Sequence, residues 1–365
     1  MSNKKKLVIF IPSIEDGGVE KNLYLVTNYL SKYIKNIHLI TFDKKKKNKF
    51  NHKIKFICAN YGNDRHFERP FKYFKCLILL FKELNSHKNE RIVFSWQANI
   101  YAIILCTLLN VKIVSRSNSS PSGWTKNIFK NFIFTFFIRK ADSVIVNSFF
   151  FKKELDKKFN IKSKLIFNPF DFSFIRKQAN LRTPNKLFKS KSLKIITVGR
   201  MTEQKDQITL IKAVELALKK IDLKLFIIGK GILKNKLQRY IKEKKLSNNI
   251  HLLGYQANPF KYIKKADIFV LTSKFEGSPN VLIESQFLKK FIISTDCPTG
   301  PREILKNGNL GNLVKIGDFN AISKLLINFK NKKNLKKINN AYNSIEIYDH
   351  RKNCNLYLKE IQKYL

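Results

Sequence analysis

Acidic residues are scarce in this chain. Asp and Glu together number 26 against 71 Lys and Arg, a formal net charge of +45. Such a surplus excludes an acidic or neutral surface on any fold. It suits nucleic acid, an anionic membrane surface or a polyanionic substrate, and it equally suits a bias toward Lys, Asn, Ile and Phe along the whole chain. Cysteine is sparse too. Cys58, Cys76, Cys106, Cys297 and Cys354 are scattered, odd in number and form no C-x-x-C pair. A disulfide framework and a thiolate metal site are thereby disfavoured, and a reducing, cytoplasmic setting fits. Long apolar runs are absent. The best candidate, Ile128–Ile138, is broken by Lys130 and Asn131, whereas a spanning helix needs roughly 18 apolar residues. Residues 7–11, after a basic start, are too few for a signal-peptide core, and no small-residue cleavage site follows, so they read as a first strand. The expectation is a soluble or peripheral protein. No G-x-G-x-x-G occurs, which leaves NAD little support, and no Asp-x-Asp metal motif is visible. The lysines are dispersed and no RNA- or DNA-binding module signature accompanies them.

What is present is a chain of 365 residues, 44% apolar, enough for about two ordinary cores. Short apolar runs alternate with helical periodicity. Residues 7–11 are followed by Gly17 and Gly18, then by Val19, Leu23, Val26 and Leu30 at helical spacing. Strands are also expected at 37–41, 54–58, Arg91–Ser95, 111–115, Ser143–Val146 and 164–167. Helices at 69–84 and 124–140 are aromatic, basic and amphipathic, a composition that suits the headgroup region of an anionic bilayer. Three of the strands run into polar loops. In parallel α/β sheets ligands bind beyond the carboxyl ends of strands, so Gln97, Asn99, Arg116 and Asn118 become candidates for an acceptor side. Residues 180–192, polar and lysine-rich, are the best linker candidate.

The second half repeats strand, loop, helix. Leu193–Val198 leads into Gly199 and Arg200, and Lys205 precedes the next helix. Two cations beside a helix N-terminus suit a diphosphate. Further strands are expected at 224–229 and 250–253. The stretch with most chemistry runs from Ile268–Leu271 through Glu276, Gly277, Ser278, Pro279 and Asn280 to Glu284, then to a strand at 291–294. Ser278 and Pro279 are expected to open the helix, with Ser278 as cap. Asn280 and Glu284, four apart, share a helix face. One carboxylate before the helix and one a turn inside it can bracket a ligand whose phosphates sit at the helix end.

EGSPNVLIE resembles the E-x7-E signature of retaining GT-B glycosyltransferases of family four, and G-R-x-x-x-x-K resembles that family's donor-phosphate motif. Gly17 and Gly18 resemble its GG-x-E loop. DCPTGPREIL and the R-x-N of Arg116 and Asn118 resemble the subgroup that acts on lipid-linked or surface glycans. The resemblance implies α/β GT-B architecture: two Rossmann-like domains, 1–180 and 193–344, with the active site in the cleft and a last helix, within about 345–365, returning to the first. It implies transfer of a hexose or N-acetylhexosamine from a nucleotide sugar, a UDP-sugar, to a polyprenyl-linked or polysaccharide glycan, with retention. It further implies that Glu276 contacts the donor sugar, Arg200 and Lys205 the diphosphate, Glu284 the ribose, and the backbone at Leu253 the base. No cofactor or metal is expected. A sugar-nucleotide epimerase of the same fold and a basic nucleic-acid-binding protein remain alternatives.

Overall fold

Ile, Val, Leu and Phe runs too short for helices are buried as parallel strands, and the amphipathic segments between them lie over the sheets. The computed structural model describes residues 5–14, 17–44, 46–60, 69–86, 91–118, 128–183 and 186–365. The chain forms two compact units, one made of Met1–Phe170 with Tyr348–Leu365, the other of Asp171–Ile347.

In the first unit the order is β1 (Lys6–Phe10), α1 (Gly18–Leu30), β2 (Ile37–Asp43), β3 (Lys55–Asn60), α2 (Arg69–Asn85), β4 (Arg91–Ser95), α3 (Asn99–Leu108), β5 (Lys112–Ser117), α4 (Ile128–Ile138), β6 (Ser143–Val146), α5 (Phe149–Phe159) and β7 (Lys164–Leu165). The parallel sheet runs β3-β2-β1-β4-β5-β6-β7. Its order reverses between β1 and β4, the position where such sheets hold ligands. Leu23, Val26 and Leu30 of α1 pack on one face of the sheet, while Cys76 and Leu80 of α2, Ile103 of α3 and Leu155 of α5 pack on the other. Residues 124–127 of the expected second basic helix lie outside the described residues.

The second unit contains α6 (Phe172–Ala179), β8 (Leu193–Val198), α7 (Gln207–Ala217), β9 (Leu223–Ile228), α8 (Lys234–Glu243), β10 (Ile250–Gly254), α9 (Phe260–Lys265), β11 (Ile268–Leu271), α10 (Asn280–Phe287), β12 (Phe291–Thr295), α11 (Pro301–Ile304), β13 (Asn312–Val314), α12 (Phe319–Ile327) and α13 (Asn331–Asn343). Its sheet runs β10-β9-β8-β11-β12-β13, reversing between β8 and β11. The expected linker at 180–192 lies inside this unit. The chain passes between the units instead at Phe170–Asp171 and Ile347–Tyr348.

The last helix, α14 (His350–Gln362), packs against α1 in the first unit, with Cys354, Tyr357, Leu358 and Ile361 in that core. The two passages are pinned together there. Phe170 N donates to Tyr348 O at 2.8 Å, and His350 N donates to Phe170 O at 3.1 Å. Tyr348 meets Phe167 and Phe170 edge-on.

His38 lies within β2, paired with Val8, and is structural, as its alternation with apolar neighbours suggests. Its Nδ1 is 2.7 Å from Glu83 Oε1, which also takes Lys6 Nζ at 2.8 Å. Burial holds the His38 imidazole below its ordinary range despite the carboxylate. Hydrogen bonds from Lys6 and His38 and their charges lower Glu83 against the opposing effect of burial. A neutral Nδ1–H donating to an ionised carboxylate satisfies both groups.

Candidate active site

The loops that leave β8 and β11 emerge side by side because those strands are neighbours at the sheet's reversal. Three hydrogen bonds join them. Lys274 N donates to Gln204 O at 2.8 Å, Gln204 Nε2 to Phe275 O at 3.0 Å, and Thr272 Oγ1 to Lys205 O at 3.0 Å. On this frame Lys205 Nζ forms an ion pair with Glu276 Oε1. Ser273 Oγ donates to the same oxygen at 2.6 Å. The two side chains are only 15% and 7% exposed. Lys205 spends one of its three N–H donors on Glu276 and keeps two. Oε2 of Glu276 takes neither bond, so one carboxylate oxygen remains for a hydroxyl. Arg200, on the rim of the same loop, is exposed and enters no ion pair among the described residues. The site therefore has one cation held by a carboxylate and one uncommitted.

Helix α7 starts just beyond, and Gln207 Nε2 donates to Arg200 O at 2.9 Å, fixing the loop to its first turn. A glycine outside the expected set decides the shape of this loop. Gly229, at the end of β9, has φ +149°, and a Cβ there would sit 1.9 Å from Gly199 O. The β9 loop thus backs directly onto the Gly199–Arg200 turn. At Gly199 itself the atoms nearest to a Cβ would be those of the Lys205 side chain, at ordinary contact distance. A glycine following a strand was the available signal for Gly229, but its neighbour is fixed by the β8–β9 pairing.

Helix α10 begins at Asn280, one residue later than expected. Pro279 occupies the cap position with extended ψ of 100°, and no side chain caps the helix. Ser278 is therefore not the cap. Gly277, Ser278 and Asn280 are half-buried around the helix start. Glu284, one turn in, is 2% exposed. On the neighbouring edge, Leu253 is the extra residue of a bulge between the Leu252 and Gly254 pairings with β9, so its backbone stands outside the ladder. Its carbonyl accepts from Gln256 Nε2 at 2.8 Å.

In the first unit, Gly17 caps α1 and Gly18 is its first residue. Gln97 joins the loops at that sheet's reversal, its Oε1 accepting from Ser13 N at 3.1 Å. The other acceptor candidates are engaged in holding the fold. Asn99 accepts from Ser95 Oγ at 2.6 Å and donates to Arg116 O at 2.8 Å. Asn118 Nδ2 donates to Trp96 O at 3.0 Å. Arg116 is fully buried. Its Nε donates to Tyr357 OH and its Nη2 to Asn168 Oδ1, both at 2.7 Å, and its guanidinium lies 4.4 Å from the Trp96 ring centre. Arg116 as an acceptor ligand is thus corrected: helix α14 covers it and makes it part of the core.

Comparison with known proteins identifies the family and the fold. The family Glycosyl transferases group 1 matches residues 180–344. An uncharacterized glycosyltransferase of Methanocaldococcus jannaschii is 31% identical over 84% of this chain and 78% of its own. The N-acetylgalactosamine-N,N'-diacetylbacillosaminyl-diphospho-undecaprenol 4-alpha-N-acetylgalactosaminyltransferase of Campylobacter jejuni is 31% identical over 87% of this chain and 88% of its own. The crystal structure of Anabaena HepE in complex with UDP and glucose covers 98% of this chain and 99% of its own with a TM-score of 0.76 at 16% identity. Two parallel sheets with interleaved helices, the GT-B pattern, are common to both structures. Matched along most of its length by glycosyltransferases and built to their fold, the chain belongs to the group 1 glycosyltransferases.

Proposed function

We propose that the protein transfers a hexose or N-acetylhexosamine from a UDP-sugar to a lipid-linked or polysaccharide glycan, with retention of configuration. The observation that carries this reading is the Lys205–Glu276 pair held across two tied loops beside an uncommitted Arg200. Arg200 and the two remaining donors of Lys205 offset the charge that grows on the diphosphate as the glycosidic bond breaks. Oε2 of Glu276 accepts from a hydroxyl of the donor sugar and orients it. A phosphate oxygen of the donor takes the acceptor proton, so the diphosphate serves as its own base and no metal or other cofactor is called on. Gly277, Ser278, Pro279 and Asn280 present the start of α10 to the phosphates. Glu284 holds the ribose, and the bulged backbone at Leu253 meets the base. Gly17, Gly18 and Gln97, at the reversal of the first sheet, face the acceptor. The names of the Campylobacter relative and the UDP-bound Anabaena structure support the donor and acceptor classes.

Glu284→Ala is expected to weaken UDP binding by at least about tenfold, because a sheltered charged acceptor is worth about 1.5–3 kcal/mol. Titration calorimetry with UDP on the folded variant is the measurement. Unchanged affinity would remove Glu284 from the ribose site.

The place of work follows from the first unit. We propose peripheral binding at the inner face of the cytoplasmic membrane through α2, α3 and α4, which pack side by side. They leave Phe74 61%, Leu108 76% and Phe132 72% exposed, with Phe81, Tyr101 and Phe136 also outward. Lys75, Lys82, Arg139 and Lys140 are exposed among them. Each such cation near an anionic surface contributes about 1 kcal/mol, and the contribution fades within a Debye length. Flotation should therefore recover the protein with anionic liposomes at low salt and release it at high salt, and Phe74→Ser with Phe132→Ser should weaken recovery. Equal recovery on neutral and anionic liposomes, or none on either, would reject the membrane site.

A further inference from the structure

The loop after β12 is built against the loop that carries Glu276. Thr299 Oγ1 donates to the backbone oxygen of Glu276 and lies 3.4 Å from that of Gly277. Thr295 Oγ1 donates to Ser273 O at 2.6 Å, one residue from the start of the same turn. Gly300 has φ +57°, and a Cβ there would sit 2.4 Å from Gly277 O and 2.6 Å from Pro279 Cδ. Arg302 Nε donates to Asp296 Oδ1 at 3.0 Å, closing the β12 loop on itself. The Glu276 turn thus has a fitted wall along its back, from residue 273 to residue 279.

Thr299 occupies the left-handed region, φ +66°. A β-branched residue is an outlier there, because its side chain crowds the backbone. Such conformations persist where surrounding contacts over-determine them, and they gather at functional sites. Glycine would take this conformation without cost, and serine with less crowding. Neither the core nor α11 needs the hydroxyl, whose acceptors are the carbonyls of Glu276 and Gly277.

We infer that Thr299 is a positioning residue for the transfer reaction: its hydroxyl fixes the backbone of Glu276 so that the carboxylate, already held at Oε1 by Ser273 and Lys205, presents Oε2 to the donor sugar. This rests on the nucleotide-sugar reading above. A free turn would let the carboxylate swing, and misplacement of about 1 Å in an orienting group costs about 100-fold in rate. The ribose and base are held elsewhere, by Glu284 and the backbone at Leu253, and the hydroxyl bonds Glu276 O rather than Ser278 or Asn280 at the helix start, so UDP affinity should move little.

The test compares Thr299→Val, Thr299→Gly and Thr299→Ser in the full chain. The readouts are UDP affinity by calorimetry, the thermal midpoint, and release of UDP from UDP-glucose and UDP-N-acetylglucosamine. Valine keeps the shape and removes the hydroxyl; glycine removes the hydroxyl and relieves the backbone; serine keeps the hydroxyl. Valine and glycine are expected to lower kcat at least tenfold with UDP affinity within twofold of the parent. Serine should restore kcat to within about threefold. The glycine variant should melt no lower than the valine variant although it is equally slow, separating turnover from stability. Parent-like kcat in both hydroxyl-free variants overturns the role, as does a serine variant as slow as valine. A loss of UDP affinity equal to the loss of rate would mean general damage to the site and overturns it as well. Failure of the parent protein to bind UDP would instead overturn the donor reading on which this rests.

Discussion

Lys205→Ala should lower turnover at saturating donor by about 100- to 1,000-fold, the loss typical of removing one preorganised charge donor from a transition state. Two effects coincide. The diphosphate loses a cation at the moment its charge grows, and Glu276, with a side chain only 7% exposed, loses the ammonium that accompanies it. Arg200→Ala should cost less, about tenfold, because an exposed guanidinium acts through solvent that screens it. Both losses belong in kcat rather than in KM, since the interaction strengthens as the bond breaks. Steady-state kinetics on variants with parent-like circular dichroism decide the matter. Parent-like kcat for Lys205→Ala would dissolve the proposed phosphate site.

The largest expected effect on stability comes from a residue with no polar atom in its side chain. Gly229→Ala places a methyl 1.9 Å from the backbone oxygen of Gly199, at a φ of +149° that L residues rarely adopt. Neither obstacle can be relieved by a rotamer change, because both are backbone. The β8–β9 ladder and the Arg200 loop must shift together, and a loss of about 3–4 kcal/mol is expected for strain of this kind. Gly199→Ala is the internal control. Its Cβ would have the aliphatic part of Lys205 as its nearest neighbour, at 3.5 Å or more, so a change within about 1 kcal/mol is expected. Urea unfolding of the two variants gives the comparison, and equal midpoints would refute the account of how the loop is held.

The strands with uniform Ile, Val, Leu and Phe were plain in the sequence; Leu193–Val198 and Ile268–Leu271 lie where their composition places them. β13 was not, because a three-residue edge strand beginning with Asn has no period to read. The donor loops were legible as motifs, but their central contact was not. Lys205 and Glu276 are 71 residues apart and meet only because the sheet reverses between β8 and β11. Arg116 shows the opposite failure. A polar residue at a strand end looks like a ligand until α14, 241 residues further on, lays Tyr357 over it. Ser278 failed locally: the extended Pro279 delays the helix beyond the reach of a serine cap.

The bridge between Phe170 and Tyr348–His350 bears on how such enzymes diversify. The second unit is a contiguous insertion whose two ends leave the first unit from adjacent, hydrogen-bonded residues. A replacement segment from another family member would join the chain at one closely spaced pair of junctions. Recombination across Asp171–Ile347 can therefore exchange one entire sheet with its loops while the other keeps its core, its last helix and its buried arginine. In genetic terms, one sheet and its loops form a cassette bounded by a single pair of neighbouring junctions.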